Sequence, residues 1–137
     1  MYREVITLET GRREELVDIT ERVTAAVEKS GIAAGLVSVY AHGATAAVMI
    51  QENWDASVPE DMVNFLKKLI PPGVWLHDRQ DGNGDAHLKA GLVGPSETIP
   101  VIEGKPGLST WQGIFFCEFD GPRSPRRIIC TVLGATD

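Results

Sequence analysis

The chain has no run approaching the roughly 18 consecutive apolar residues that a membrane-spanning helix needs. Its first residues, Met1-Tyr2-Arg3-Glu4, lack the apolar core of a signal peptide, so neither a membrane nor an exported location is expected and a cytoplasmic one is. Cysteine is scarce. Cys117 and Cys130 are the only two, each inside an apolar run, which reads as buried thiols in a reducing compartment rather than as a disulfide or a metal pair. Positive charge is also short: the net charge is −6, and nucleic acid is a poor partner for a chain without a basic face. Arg123, Arg126 and Arg127 are the one local exception. No P-loop, no G-x-G-x-x-G and no G-x-S-x-G occurs, which removes the usual nucleotide and serine-hydrolase readings and leaves no organic cofactor indicated.

What is present is the composition of a globular protein, with 43% hydrophobic and 23% charged residues in 137, and 14 Gly with 8 Pro for turns. That length suits a single domain over residues 1–137. Val5–Leu8 and Leu16–Ile19 alternate as strands around the turn Thr10-Gly11 and read as a hairpin-like pair. From Thr20 the period becomes helical (Val23, Ala26, Val27, Ser30), with Thr20 as cap and Gly31 as stop. The runs 35–40 and 45–51 are strands whose short join, Ala41 to Ala44, suggests a hairpin or a bulge. Val58, Met62, Phe65, Leu66 and Leu69 then form one apolar stripe, with Ser57 as cap and Pro71-Pro72-Gly73 as terminator, the clearest helix in the chain. Residues 75–90 show no clean period and read as a long polar loop, and three strands close the chain at 98–102, 113–119 and 127–133. Two helices cannot clothe both faces of a parallel sheet, so the order ββαββα-loop-βββ favours a largely antiparallel α+β fold.

Polar residues in unusual places are the candidates for chemistry. His42 stands at a strand end beside Gly43, His77 enters the polar loop and His87 leaves it; three imidazoles are enough for a catalytic zinc site, although folding would have to assemble them because no short metal spacing is present. Separate surface or hydrogen-bonding histidines are the plainer alternative. Asp81-Gly82-Asn83-Gly84-Asp85 mimics the start of a calcium loop, but Ala86 stands where the sharp turn needs Gly and Leu92 where a bidentate Glu is required, so that motif is rejected. A glycine-rich turn remains, or else Asn83, Asp85 and His87 on alternate residues aim into one cleft. Glu118 follows Phe115-Phe116-Cys117 and is costly to bury without a partner, for which Arg123 or a histidine is expected; an Asp120 to Arg123 ion pair pinning the turn is the structural alternative. Ser96 after Gly94-Pro95, and Gln112 before Gly113, put polar groups where backbone N–H groups can approach an anion.

Taken in order, several segments resemble the YjbQ-like family: His42-Gly43-Ala44-Thr45-Ala46-Ala47-Val48 with Gln51-Glu52-Asn53, Asp81-Gly82-Asn83 through Lys89, Gly94-Pro95-Ser96-Glu97-Thr98-Ile99-Pro100, and Thr110-Trp111-Gln112-Gly113 through Arg123. The resemblance spans almost the whole chain. It implies a forked sheet wrapped into a pseudo-barrel, a homotrimer, and activity of the secondary thiamine-phosphate synthase type, joining a pyrimidine methyl diphosphate to a thiazole phosphate with loss of pyrophosphate, weak or incidental to the physiological role. The family usually reads His-Thr-Thr-Ala-Ala where this chain has His42-Gly43-Ala44-Thr45-Ala46-Ala47, one hydroxyl fewer, which leaves the face that His42 takes open. Two functions follow. One is a transferase-like or hydrolase-like enzyme whose cleft gathers His87, Glu118, Gln112 and Asn83 for chemistry, Arg123, Lys89, Glu52 and Ser96 for a small phosphorylated ligand, and His42, His77 and His87 for a divalent metal, zinc or magnesium. The other is a trimeric module that binds a small anionic ligand or a metal without turnover. A third, purely structural reading has these polar residues build the trimer interface.

Overall fold

The computed structural model describes residues 1–136. In chain order the elements are β1 (Tyr2–Leu8), β2 (Glu15–Asp18), α1 (Thr20–Ser30), β3 (Ala34–Ala41), β4 (Ala46–Glu52), α2 (Ser57–Leu69), a 3-10 turn (Leu76–Arg79), α3 (Gly84–Val93), β5 (Ser96–Ile102), β6 (Lys105–Pro106), β7 (Gln112–Glu118) and β8 (Arg126–Ala135). They form two sheets, β1-β8-β3-β5-β6 and β2-β7-β4, in which every pairing is antiparallel. The α+β expectation holds, with one sheet of the fork curled as a half-barrel around the core.

Neither expected hairpin forms. β1 pairs with β8 while β2 pairs with β7, and β3 lies between β8 and β5 while β4 lies on β7. Burial explains the second case: Val37, Val39 and Ala41 of β3 and Ala46 and Val48 of β4 all enter one core from opposite layers, together with Val23, Ala26 and Val27 of α1. A flat hairpin would leave one of those apolar rows in water.

The segment read as a polar loop is instead the 3-10 turn followed by α3. The inward face of α3 is Asp85, Ala86, Lys89 and Ala90, all buried, so two charged residues occupy positions where a helical pattern requires apolar ones. Its capacity to pack rests on ion pairs rather than on hydrophobicity. α3 and α2 cover a second, smaller cluster formed by Ala47, Leu66, Ala86, Ala90, Cys117 and Phe119, so β7 is buried on both faces.

The helix starts differ in detail from expectation. The caps are the aspartates two residues earlier: Thr20 N donates to Asp18 Oδ1 at 2.9 Å and Ser57 N to Asp55 Oδ1 at 2.9 Å. Thr20 Oγ1 is free to accept Ile114 N at 2.9 Å, which ties α1 to β7. Gly31 ends α1 in the left-handed conformation, as expected. The stripe on α2 is only partly covered, since Leu66 is buried while Phe65 and Leu69 are exposed. Burial pushes the Cys117 thiol up to about 12 and Cys130 to about 11, so neither is a reactive thiolate near neutral pH. Among the described residues no helix is long and apolar enough to cross a membrane.

Candidate functional site

The last residue of β7, Glu118, is fully buried opposite Ala46 of β4 and Glu15 of β2. An unpaired carboxylate there would be untenable, and its partner is neither Arg123 nor a histidine but Arg126, the first residue of β8. Arg126 Nε donates to Glu118 Oε1 at 2.9 Å and Nη2 pairs with Oε2. Thr10 Oγ1 donates to Oε1 at 2.7 Å, Asp120 N donates to Oε2 at 3.0 Å, and Arg126 Nη2 also reaches Thr45 Oγ1 at 2.9 Å. Burial pushes the carboxyl up, but the guanidinium, the hydroxyl and the amide outweigh it and hold Glu118 below its usual value. Glu118 is thus held in its charged form as the anchor of this cluster.

Two residues on, Asp120 accepts Asn83 Nδ2 at 2.9 Å and Arg123 Nη2 at 2.8 Å, and Arg123 Nε donates to the Asp120 carbonyl at 3.0 Å. The Asp120 to Arg123 ion pair that pins the turn is therefore present. It leaves the rest of a half-exposed guanidinium free. Because Asn83 must give its NH2 group to a carboxylate, its orientation is fixed, and Asn83 Oδ1 is a shielded acceptor with no partner.

The turn at Gly121 presses on the β1–β2 segment. A Cβ there would lie 2.1 Å from the Arg12 carbonyl oxygen, and Gly121 N donates to the Arg13 carbonyl at 2.9 Å. Arg13 in turn forks onto Asp85 at 3.1 and 3.0 Å. Lys89, fully buried, bonds Asp85 Oδ2 at 2.8 Å and Glu14, and Lys67 of α2 lies 3.7 Å from Glu14. Burial raises the Asp85 carboxyl, but Arg13 and Lys89 outweigh it and hold it below its usual value. Between this ionic lattice and α2 runs a groove of about 820 Å³, lined by Arg12, Arg13, Glu14, Glu60, Lys67 and Gly82 among others.

The structure gathers some of the sequence candidates and disperses the rest. Asn83 stands at the N-terminal boundary of α3 without a side-chain capping bond, and His87 follows four residues later on the same helical side, its ring edge-to-face with His77 at 4.7 Å between centroids. His77 Nε2 is shielded and without a hydrogen bond, with Asp81 Oδ2 3.5 Å away. The alternate-residue reading of Asn83, Asp85 and His87 fails because the segment is helical: Asp85 turns inward. Lys89 is consumed by Glu14 and Asp85, with no surface left for a ligand. His42 is exposed past the end of β3, 6.3 Å from the Tyr40 ring, and Ser96 opposes Tyr40 at the start of β5. Among the described residues no group of three His, Cys, Asp or Glu is placed to hold a metal ion, so His42, His77 and His87 are not gathered within one chain.

Glu52 and Gln112 oppose each other at the far end of the β4–β7 ladder from Glu118. Six residue steps along the strand, about 20 Å, separate them from it. They do not share its cleft. The sequence does not single out Thr10, Arg12, Arg13 or Thr45 as site residues. Their available signal was Arg12-Arg13-Glu14-Glu15, a dense charge run at a turn, which reads as solvated surface until Asp85 and Lys89 are known to lie beneath it.

The architecture, two antiparallel sheets and three helices with an ionic lattice under an arginine-lined groove, is that of an α+β pseudo-barrel. A family model described as UPF0047 protein YjbQ-like matches residues 4–135, and the chain belongs to this family. UPF0047 protein MJ1081 of Methanocaldococcus jannaschii is 50% identical over 116 residues, 85% of this chain and 83% of that protein. YjbQ of Escherichia coli O157:H7 is 28% identical over 97% of this chain and 98% of its own length. Among solved structures, a YbjQ-like protein from Sulfolobus solfataricus P2 superposes with a TM-score of 0.94 at 40% identity, covering 97% of this chain and 96% of that one. A hypothetical protein from Aeropyrum pernix K1 gives 0.92 at 38%, covering 98% and 99%.

Proposed function

We propose that the groove beside Arg12, Arg13 and Lys67, continued by the Asn83–Asp120–Arg123 cluster, binds a small phosphorylated metabolite. The carrying observation is a pair of guanidinium groups held in place by carboxylates, Arg13 by the buried Asp85 and Arg123 by Asp120, while the shielded Asn83 Oδ1, an acceptor with no partner, would take a donor from the rest of the metabolite. Guanidinium groups fixed in this way meet a phosphate with little further loss of conformational freedom.

The chemistry we assign to this site is of the secondary thiamine-phosphate synthase type. The carbon–oxygen bond to the pyrophosphate leaving group breaks, the thiazole nitrogen attacks that carbon, and pyrophosphate departs with the bonding electrons. Arg123 would hold the leaving group, and the paired imidazoles of His77 and His87 are the titratable groups left to move a proton, because Glu118, Asp85 and Lys89 are locked in ion pairs. A divalent cation would draw two ligands from His77 and His87 and take the remainder from substrate or a neighbouring subunit. The test is pyrophosphate release from the two precursors by wild-type protein and by His87→Ala. Loss of turnover with the fold intact supports the assignment, and equal turnover in the variant overturns it.

A second reading, binding without turnover, is favoured by that same consumption of Glu118, Asp85 and Lys89 in structural pairs. Retained pyrophosphate binding with no release of product from any precursor pair would select it. Self-association into a homotrimer is part of the proposal. The outer face of the five-stranded sheet presents Val5 and Tyr40 on one side and Leu36 and Leu133 on the other side of the Thr131–Ser38 pair, each at least 40% exposed, an apolar content suited to another copy. Native mass spectrometry reads the subunit number directly.

A further inference from the structure

The opposite end of the three-stranded sheet carries a second arrangement, made of residues that the groove does not use. Trp54 follows β4 and Trp111 precedes β7; their rings lie 5.3 Å apart with planes at 74°, and they are 77% and 53% exposed. Neither belongs to a core cluster. The polar residues around them serve to hold them. Asn53 N donates to the Trp111 carbonyl at 3.1 Å, and Gln112 closes its turn from both sides, accepting Ser109 N at 3.0 Å and donating its own N–H to the Ser109 carbonyl at 3.1 Å. Gly113 leaves room for Asn53 to lie on the strand, since a Cβ there would come within 2.6 Å of Asn53 Nδ2. Glu52 and Asp55 flank Trp54 in the chain, Glu52 Oε2 accepting Asp55 N at 3.1 Å. Asn53 also lines a hollow of about 550 Å³ with Asp18, Thr20, Glu21 and Arg22.

Two large rings kept in water by a braced frame contribute little to stability, and their surroundings are predominantly negative. An indole face attracts cations more strongly than any other side-chain ring, and nearby carboxylates add to the attraction. We propose that Trp54 and Trp111 form a binding corner for a compact organic cation, a quaternary or alkylated ammonium group, with Glu52 and Asp55 supplying the counter-charge. An anion would be repelled here, and a purely apolar partner would gain nothing from the carboxylates. The proposal is independent of the groove, because none of these residues takes part in the Glu118 or Asp85 lattices.

The test is titration of the full-length protein with tetramethylammonium chloride, following the three indole N–H signals by nuclear magnetic resonance at constant ionic strength. Trp75, whose Nε1 is bonded to the Pro71 carbonyl at 2.7 Å, is the internal control. Saturable shifts of Trp54 and Trp111 but not of Trp75, absent with the neutral tert-butanol and weakened about fivefold in Trp111→Leu, are expected. Glu52→Gln should weaken binding without changing the fold. Equal shifts with tert-butanol, or no saturable shift, would overturn the assignment. So would a change of subunit number in Trp111→Leu, which would mean that a second copy covers the pair.

Discussion

The two ends of the β2-β7-β4 sheet solve the problem of polar residues in opposite ways. At the Glu118 end, charge is driven inside and matched: Arg126 with Glu118, Arg13 and Lys89 with Asp85, Lys89 with Glu14. At the Gln112 end the polar side chains satisfy local turns and stay near water, while the aromatic groups stand outside. A buried ion pair is costly to assemble and more costly to break, so the first end is rigid and intolerant of change, whereas the second should accept substitution with little loss of stability.

The largest expected effect follows from that asymmetry. Arg126→Met strands Glu118 in the core and should cost about 3–5 kcal/mol in chemical denaturation. Gln112→Ala, removing one exposed turn contact, should cost about 1 kcal/mol or less. Similar losses for the two variants would erase the distinction between the ends. Lys89→Met ranks next, because Asp85 keeps Arg13 but Glu14 is left with only the longer contacts to Lys67 at 3.7 Å and Arg13 at 3.9 Å. A loss of about 3 kcal/mol is expected, again by denaturation.

Acid should act on the same end. Asp85 and Glu118 both have folded-state carboxyls held below their usual values, so the unfolded chain binds their protons more readily. Their contribution is complete above the ordinary carboxylate range and disappears as pH falls through the lower folded values. Denaturation midpoints should drop below that range in the wild type and drop less in Glu118→Gln/Arg126→Met, where one of the two pairs is gone. The smallest structural effect is that of Arg123→Ala, whose half-exposed ion pair with Asp120 contributes little to stability. A thermal midpoint near that of wild type is expected, with the loss appearing in anion affinity instead.

Much of the fold could be read from apolar periodicity, because strands such as Val37–Val39 and Ile128–Val132 place alternate residues in a core. Partnering could not. Short joins suggested hairpins, whereas β3 and β4 each needed a different sheet to bury its inner row. α3 escaped notice because its buried face is written in Asp85 and Lys89, and periodicity counts apolar residues only. Glu118 was recognisable as a buried carboxylate in need of a partner, yet Arg123 is the nearer arginine in sequence and only the placement of β8 decides for Arg126. Glu52 and Gln112 lie in distinctive motifs but reach the opposite end, a separation that depends wholly on strand direction.

The central claim is that anion binding belongs to the arginine-lined end alone. Calorimetric titration of pyrophosphate into wild type, Arg123→Ala and Trp111→Leu tests it most directly. Loss of a charge-assisted contact should weaken Arg123→Ala by about tenfold or more, with Trp111→Leu binding as wild type does. Wild-type affinity in Arg123→Ala, or an equal loss in Trp111→Leu, would contradict the account.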